Sequence, residues 1–136
     1  MKALLMVTAV IEGLVGLALF VMPELTVWLL LNTPLDSVGG VLITRVGGVA
    51  ITSLAFLCWR ARGFQDSRAA GGIVTAMLFY NIAVAAVLIL GGSRLDLKSV
   101  FIWPVIFLHI ALAIWCAANV RLQIRKLFSS IGSKIL

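Results

Sequence analysis

Four blocks of nearly unbroken apolar residues, about 3–22, 38–59, 69–91 and 99–119, alternate along the chain with short stretches where polar residues crowd together. A helix needs about 20 mainly apolar residues to cross roughly 30 Å of hydrocarbon, and it satisfies its backbone groups internally, as lipid demands. Each block therefore predicts a membrane-spanning α-helix, and the four together predict an all-α integral membrane four-helix bundle. Pro23 closes the first block, because the residue before a proline is pushed out of the helical region. Arg60, Arg62, Gly63, Gln65, Asp66 and Arg68 make a loop after the second block that cannot sit in lipid. Gly91, Gly92, Ser93, Arg94, Asp96 and Lys98 do the same after the third. Between Pro23 and the polar group Asn32, Pro34 and Asp36, the apolar residues Leu25, Val27, Trp28, Leu29, Leu30 and Leu31 are too few to cross. They predict a short interfacial helix with Trp28 at headgroup level.

Composition agrees with this pattern. Of the 136 residues, 62% are hydrophobic and 12% charged, against roughly 45–50% and about 25% in soluble proteins. The blocks use up the chain, so residues 1–136 are read as a single four-span unit with no soluble domain. The opening stretch Met1 to Phe20 imitates a secretory signal, but Glu12 interrupts it and Val21, Met22 and Pro23 offer no small-residue cleavage site, so it is expected to remain as the first span. The net charge of +6 does not point to nucleic acid, because the basic residues flank apolar blocks and build no soluble basic face.

The charges instead set direction. Lys2, Arg60, Arg62, Arg68, Arg121, Arg125, Lys126 and Lys134 fall on one side, and Arg94 and Lys98 fall on the other with Glu24, Asp36 and Asp96. The positive-inside rule places both termini in the cytoplasm and the chain in the cell's inner (plasma) membrane as a multi-pass protein. Cys58 and Cys116 then lie toward the reducing side, where they are expected as buried free thiols. In the tail, residues 120–136, Ile124, Leu127, Phe128, Ile131 and Ile135 recur at helical spacing. This predicts an amphipathic extension on the anionic inner leaflet, each basic residue adding on the order of 1 kcal/mol; a frayed, solvated tail is the alternative.

The chemistry-bearing residues are polar ones inside the spans: Glu12, Arg45, Asn81 and His109, one per span. A charge at the bilayer centre costs ~2.5–3.5 kcal/mol on insertion scales, so such groups face the interior and pair. Counted from the cytoplasmic ends, all four lie at depths of roughly 15–22 Å, close enough to meet in one layer. Their neighbours one or two turns away are small or polar: Thr8, Ala9 and Gly16 for Glu12, Gly48 and Thr52 for Arg45, Ala113 and Cys116 for His109. Gly16 and Gly48 would allow close backbone approach. The expected first pair is Glu12 with Arg45, with Arg45 also donating to Asn81 and His109 completing the network through Glu12 or Asn81. Alternatively Arg45 snorkels to the outer surface, leaving Glu12 neutral or bonded to His109.

Other chemistries find little support. Haem held between two imidazoles needs a second histidine and the chain has one; one His and one Glu fall short of usual metal ligand sets. No GxSxG, P-loop or GxGxxG stands in its required context, so the chain alone is not expected to be an enzyme. Tyr80, and Trp103 with Pro104, could line a flat apolar slot or serve as packing and interface anchors.

Glu12, Pro23, Arg45 to Gly48, Tyr80-Asn81, Trp103-Pro104 and His109 form a pattern that resembles the DoxX-like group of small four-helix membrane proteins, across nearly the whole chain. The resemblance implies a four-span bundle in which Glu12, Arg45, Asn81 and His109 are the polar site, and some members of that group serve as membrane subunits of quinone-linked oxidoreductases. Three functional readings follow. The first is a binding or accessory subunit, in a membrane complex or alone, that holds a quinone or other lipid-like ligand at the polar cluster. The second is a proton relay or lipid-modifying enzyme using Glu12 and His109. The third is a structural adaptor with homo- or hetero-oligomeric contacts through Ala113 and Ala117.

Overall fold

The computed structural model describes residues 1–64, 67–94 and 99–135, without the side chains of Arg94, residues 126–128 and residues 130–135. Gln65, Asp66, Asp96 and Lys98 of the expected loops lie outside the described residues, as do the side chains of Leu127, Phe128, Ile131 and Ile135 in the predicted amphipathic tail. Five helices follow one another: α1 Lys2–Val21, α2 Pro23–Leu31, α3 Val38–Ala61, α4 Arg68–Arg94 and α5 Ile102–Ile135. α1, α3, α4 and α5 are each long and apolar enough to cross a membrane. The chain is an all-α, multi-pass membrane protein with both termini at one end of a four-helix bundle.

Local chemistry explains where the helices stop. α1 ends before Met22, whose φ of −129° is forced by the following proline, and Pro23 then opens α2 where its missing N–H costs nothing. α2 ends on Asn32 in the left-handed region at φ 52°, a conformation asparagine tolerates at a helix end. Ser37 caps α3, its hydroxyl oxygen accepting from the Gly40 N–H at 2.9 Å, and Ser67 caps α4 by accepting from Ala70 N–H at 3.1 Å. Before α5, Ser99 accepts from Phe101 N–H at 3.2 Å and donates to the Leu29 carbonyl at 3.1 Å, which ties α2 to the start of α5. The short helix after Pro23 is thus present as predicted, with Trp28 exposed.

The spans associate as two close pairs, α1 with α3 and α4 with α5, which then meet one another. Gly16 and Gly48 make the α1–α3 crossing. A Cβ built on Gly48 would lie 2.6 Å from the Gly16 carbonyl oxygen and 2.6 Å from the Phe20 nitrogen, and one on Gly16 would lie 2.8 Å from the Gly48 carbonyl oxygen. Backbone packs on backbone here, as small residues permit between membrane helices. Toward the termini, Leu4, Leu5, Ala9, Cys58, Val74, Met77 and others from all four spans form an apolar core. Both cysteines are free and inaccessible. The folded protein in detergent should therefore resist a maleimide reagent and react at both thiols after denaturation; rapid labelling of the folded form would contradict this packing.

The stretch after the fourth span differs from expectation in one respect. It is helical, but it is the unbroken continuation of α5, since no helix breaker separates Asn119 from Gly132. Its first turn still belongs to the bundle, because Gln123 covers Gly71 of α4 and its amide donates to the Met1 sulfur at 3.1 Å.

Candidate functional site

Helical periodicity turns Thr8 and Glu12 of α1, one turn apart, toward the interior, where they retain 1% and 2% of their exposure. From α4, Tyr80 and Asn81 arrive at the same level, and His109 comes from α5. The Tyr80 hydroxyl donates to Glu12 Oε2 at 2.9 Å, and the Tyr80 and His109 rings stand edge to face with centroids 5.9 Å apart. Asn81, wholly buried, donates through Nδ2 to the Met77 carbonyl at 2.7 Å, and its Oδ1 lies 2.8 Å from His109 Nδ1. A carbonyl only accepts, so the amide nitrogen must face Met77 and the amide oxygen must face the imidazole. Nδ1 therefore carries the hydrogen and donates, which leaves His109 Nε2 free for another partner.

Glu12 with Tyr80 and Asn81 with His109 thus form two hydrogen-bonded pairs that meet edge to face through the Tyr80 and His109 rings, a polar layer between the two helix pairs. His109 completes it through Asn81, one of the two routes expected. Arg45 does not join it. That residue is exposed on α3, and the described partner of Glu12 is a phenol rather than a guanidinium, so the expected Glu12–Arg45 pair and the Arg45–Asn81 contact are not formed. The buried face of α3 is marked by Gly48, Ala55 and Cys58. Arg45, three residues before Gly48, is rotated about 60° away from it, and its side chain is exposed. Arg45→Gln should accordingly change the thermal stability of the purified protein by no more than about 0.5 kcal/mol; a larger loss would place Arg45 in the core network.

Trp103 also stays out, 60% exposed and tilted against Phe107 with ring centroids 6.4 Å apart, which fits the packing or interface-anchor alternative. The member that sequence reasoning undervalued is Thr8, counted only as a small neighbour of Glu12. Its spacing four residues from a buried acid was the available signal.

Among the described residues, two atoms of this layer find no hydrogen-bond partner, Thr8 Oγ1 and Glu12 Oε1. Leaving a buried polar atom unsatisfied costs about 1–3 kcal/mol, so native proteins rarely keep two together. Beside the layer, a groove of ≈ 440 Å³ runs along α4 and α5, lined by Asn81 and otherwise by apolar residues including Ala85, Ala113 and Ala117. Toward the termini the layer borders the apolar core of Leu4, Leu5, Cys58, Met77 and Cys116. Among the described residues no group of three or more His, Cys, Asp or Glu side chains could hold a metal ion. Comparison with known proteins found no family model, no curated protein and no solved structure that matches this chain.

Proposed function

We propose that this chain is a small membrane binding protein, or the binding subunit of a membrane complex, whose mid-bilayer polar layer holds the head of a quinone or other lipid-like ligand. The observation that carries this reading is the pair of unsatisfied buried oxygens, Thr8 Oγ1 and Glu12 Oε1, inside an otherwise hydrogen-bonded layer. A few placed polar groups in an apolar wall are the usual design of a ligand site, and unsatisfied atoms there are stabilised when a ligand's polar group arrives. The groove along α4 and α5 supplies an apolar bed for a tail, with Asn81 joining it to the layer. The resemblance to DoxX-like proteins, some of which serve quinone-linked oxidoreductases, supports the same reading, and a place in the plasma membrane with cytoplasmic termini fits the distribution of basic residues.

A proton relay is less favoured, because the core packed between Thr8 and the termini is built mainly of apolar residues, and the buried amide of Asn119 on that side is engaged with the Trp115 carbonyl. A purely structural role accounts for the Asn81–His109 bond but leaves the two oxygens unexplained.

Because a ligand that binds only the folded state stabilises it, by about 2.7 kcal/mol at a hundredfold excess over Kd, a panel of quinones and lipids should contain a member that raises the wild-type melting temperature. Glu12→Gln, folded but altered at the site, should lose that shift. A panel that shifts both proteins equally would sink the assignment of the site.

A further inference from the structure

The end of the bundle that carries the termini has a groove of its own, which shares no residue with the polar layer. It lies between the last turns of α3 and the first turns of α4 and holds ≈ 360 Å³, within the roughly 300–1,000 Å³ of ligand sites. Its cause is local. α3 and α4 belong to different close pairs, and the buried side chains of the groove are the methyl groups of Ala61 and Ala70, 5% and 1% exposed, too short to fill the gap. These alanines make the floor, Leu57 and Ile73 wall the deep end, and Arg60, Phe64 and Ser67 stand at the mouth. α3 runs toward this end and α4 away from it, so the groove leads inward from Ser67 to Ile73, six residues or about 9 Å along α4.

Charge and donors collect at the mouth alone. Trp59 and Arg62 mark its level: the Arg62 guanidinium carbon lies 3.5 Å from the centroid of the Trp59 ring, and Arg62 donates to the Trp59 carbonyl at 2.6 Å. A tryptophan with a cation at the end of a span is an anchor at the headgroup layer. From Arg60 to Arg68 the chain carries three arginines against one acid, Asp66, so this end is net positive whichever group Asp66 meets. Arg62 is engaged by Trp59, whereas Arg60 lines the groove and Arg68 stands exposed between Ser67 and Ala69, which line it too. The Ser67 oxygen accepts from Ala70 N–H at 3.1 Å, and its own O–H is left to donate. The first turn of α4 adds the positive end of its helix dipole to the same mouth.

We propose that this groove seats an anionic phospholipid from the leaflet on the side of the termini, with its phosphate at Arg60 and Ser67 and one acyl chain over Ala61 and Ala70. The occupant has to be apolar along the groove and negative at its mouth, and a phospholipid of net negative charge changes polarity in that order. Basic pockets between spans are where such headgroups bind. A zwitterionic lipid brings an ammonium group that Arg60 and Arg68 repel, and a free anion would use the mouth but leave the apolar floor to other molecules. The proposal is independent of the ligand reading of the polar layer, since the two sites have no residue in common.

Native mass spectrometry of the full-length protein in mild detergent tests this, with palmitoyl-oleoyl phosphatidylglycerol and the phosphatidylcholine of the same chains as probes. The first phosphatidylglycerol should bind saturably and at least about fivefold more tightly than phosphatidylcholine, the scale of one basic residue at an anionic surface. Arg60→Gln should weaken phosphatidylglycerol about fivefold and leave phosphatidylcholine unchanged. Ala69→Phe, which fills the groove from an exposed position, should weaken both. Arg121→Gln should change neither, because Arg121 lies at the same end but about 200° around α5 from Gln123, which meets α4 at Gly71. Equal affinity for the two lipids, or equal losses in Arg60→Gln and Arg121→Gln, would overturn the proposal in favour of diffuse surface charge. Full displacement of the lipid by glycerol 3-phosphate would overturn it in favour of a simple anion site. Dimers that Ala69→Phe abolishes, in place of lipid adducts, would make the groove a contact between copies of the chain.

Discussion

Gly48→Ala should destabilise the folded protein by about 1–3 kcal/mol, the cost of forcing an extra carbon into a contact that cannot relax, while Gly47→Ala beside it should be neutral or slightly stabilising. The contrast comes from what each new Cβ would meet. At Gly48 it would lie 2.6 Å from both the Gly16 carbonyl oxygen and the Phe20 nitrogen, backbone atoms that cannot swing aside, whereas at Gly47 it meets nothing within 4 Å. In open space alanine gains over glycine by roughly 0.5–1 kcal/mol through helix propensity. Thermal unfolding of the two variants in the same detergent checks this. Equal midpoints would mean that α1 and α3 do not cross at these glycines.

Asn81→Leu should destabilise by about 1–3 kcal/mol, because it strands the buried Nδ1–H of His109, and the double variant Asn81→Leu/His109→Leu should recover part of the loss. Removing one partner of a buried hydrogen bond charges the full desolvation of the other, while replacing both with apolar groups of similar shape comes close to neutral. Interhelical hydrogen bonds in membranes average only about 0.6 kcal/mol as coupled pairs, so most of the single-variant loss comes from the orphaned imidazole. A double-variant cycle in which the losses simply add would show that Asn81 and His109 do not touch.

These two contacts show what the sequence could and could not reveal. Gly16 with Gly48, and Asn81 with His109, were readable because each depends on depth along a helix and on small or polar neighbours one turn away, and both quantities follow from residue spacing. The spans were readable for the same reason, with Pro23 marking the end of the first, whereas the serine caps Ser37 and Ser67 that open α3 and α4 emerged only in the structure. Arg45 was not, because its role turns on an azimuth of about 60° around α3 and on the freedom of a long side chain to leave the face its backbone suggests. Ranking pairs by charge then made a guanidinium the favoured partner for Glu12, when the phenol of Tyr80 lay within reach from α4. Which helices pair closely is set by side-chain packing between distant segments, which no local pattern encodes. The tail was legible as helix but not as an extension of the last span, since amphipathic periodicity is the same whether a helix turns onto a surface or runs on.

Mass spectrometry of small molecules extracted from protein purified in mild detergent tests most directly whether Glu12, and not Arg45, anchors the proposed ligand. Wild type and Arg45→Gln should carry the same lipid-like molecule in near-stoichiometric amount, and Glu12→Gln should be depleted of it. An equal content in all three proteins, or no bound molecule in any, would contradict the account and leave the polar layer as a device for joining helices.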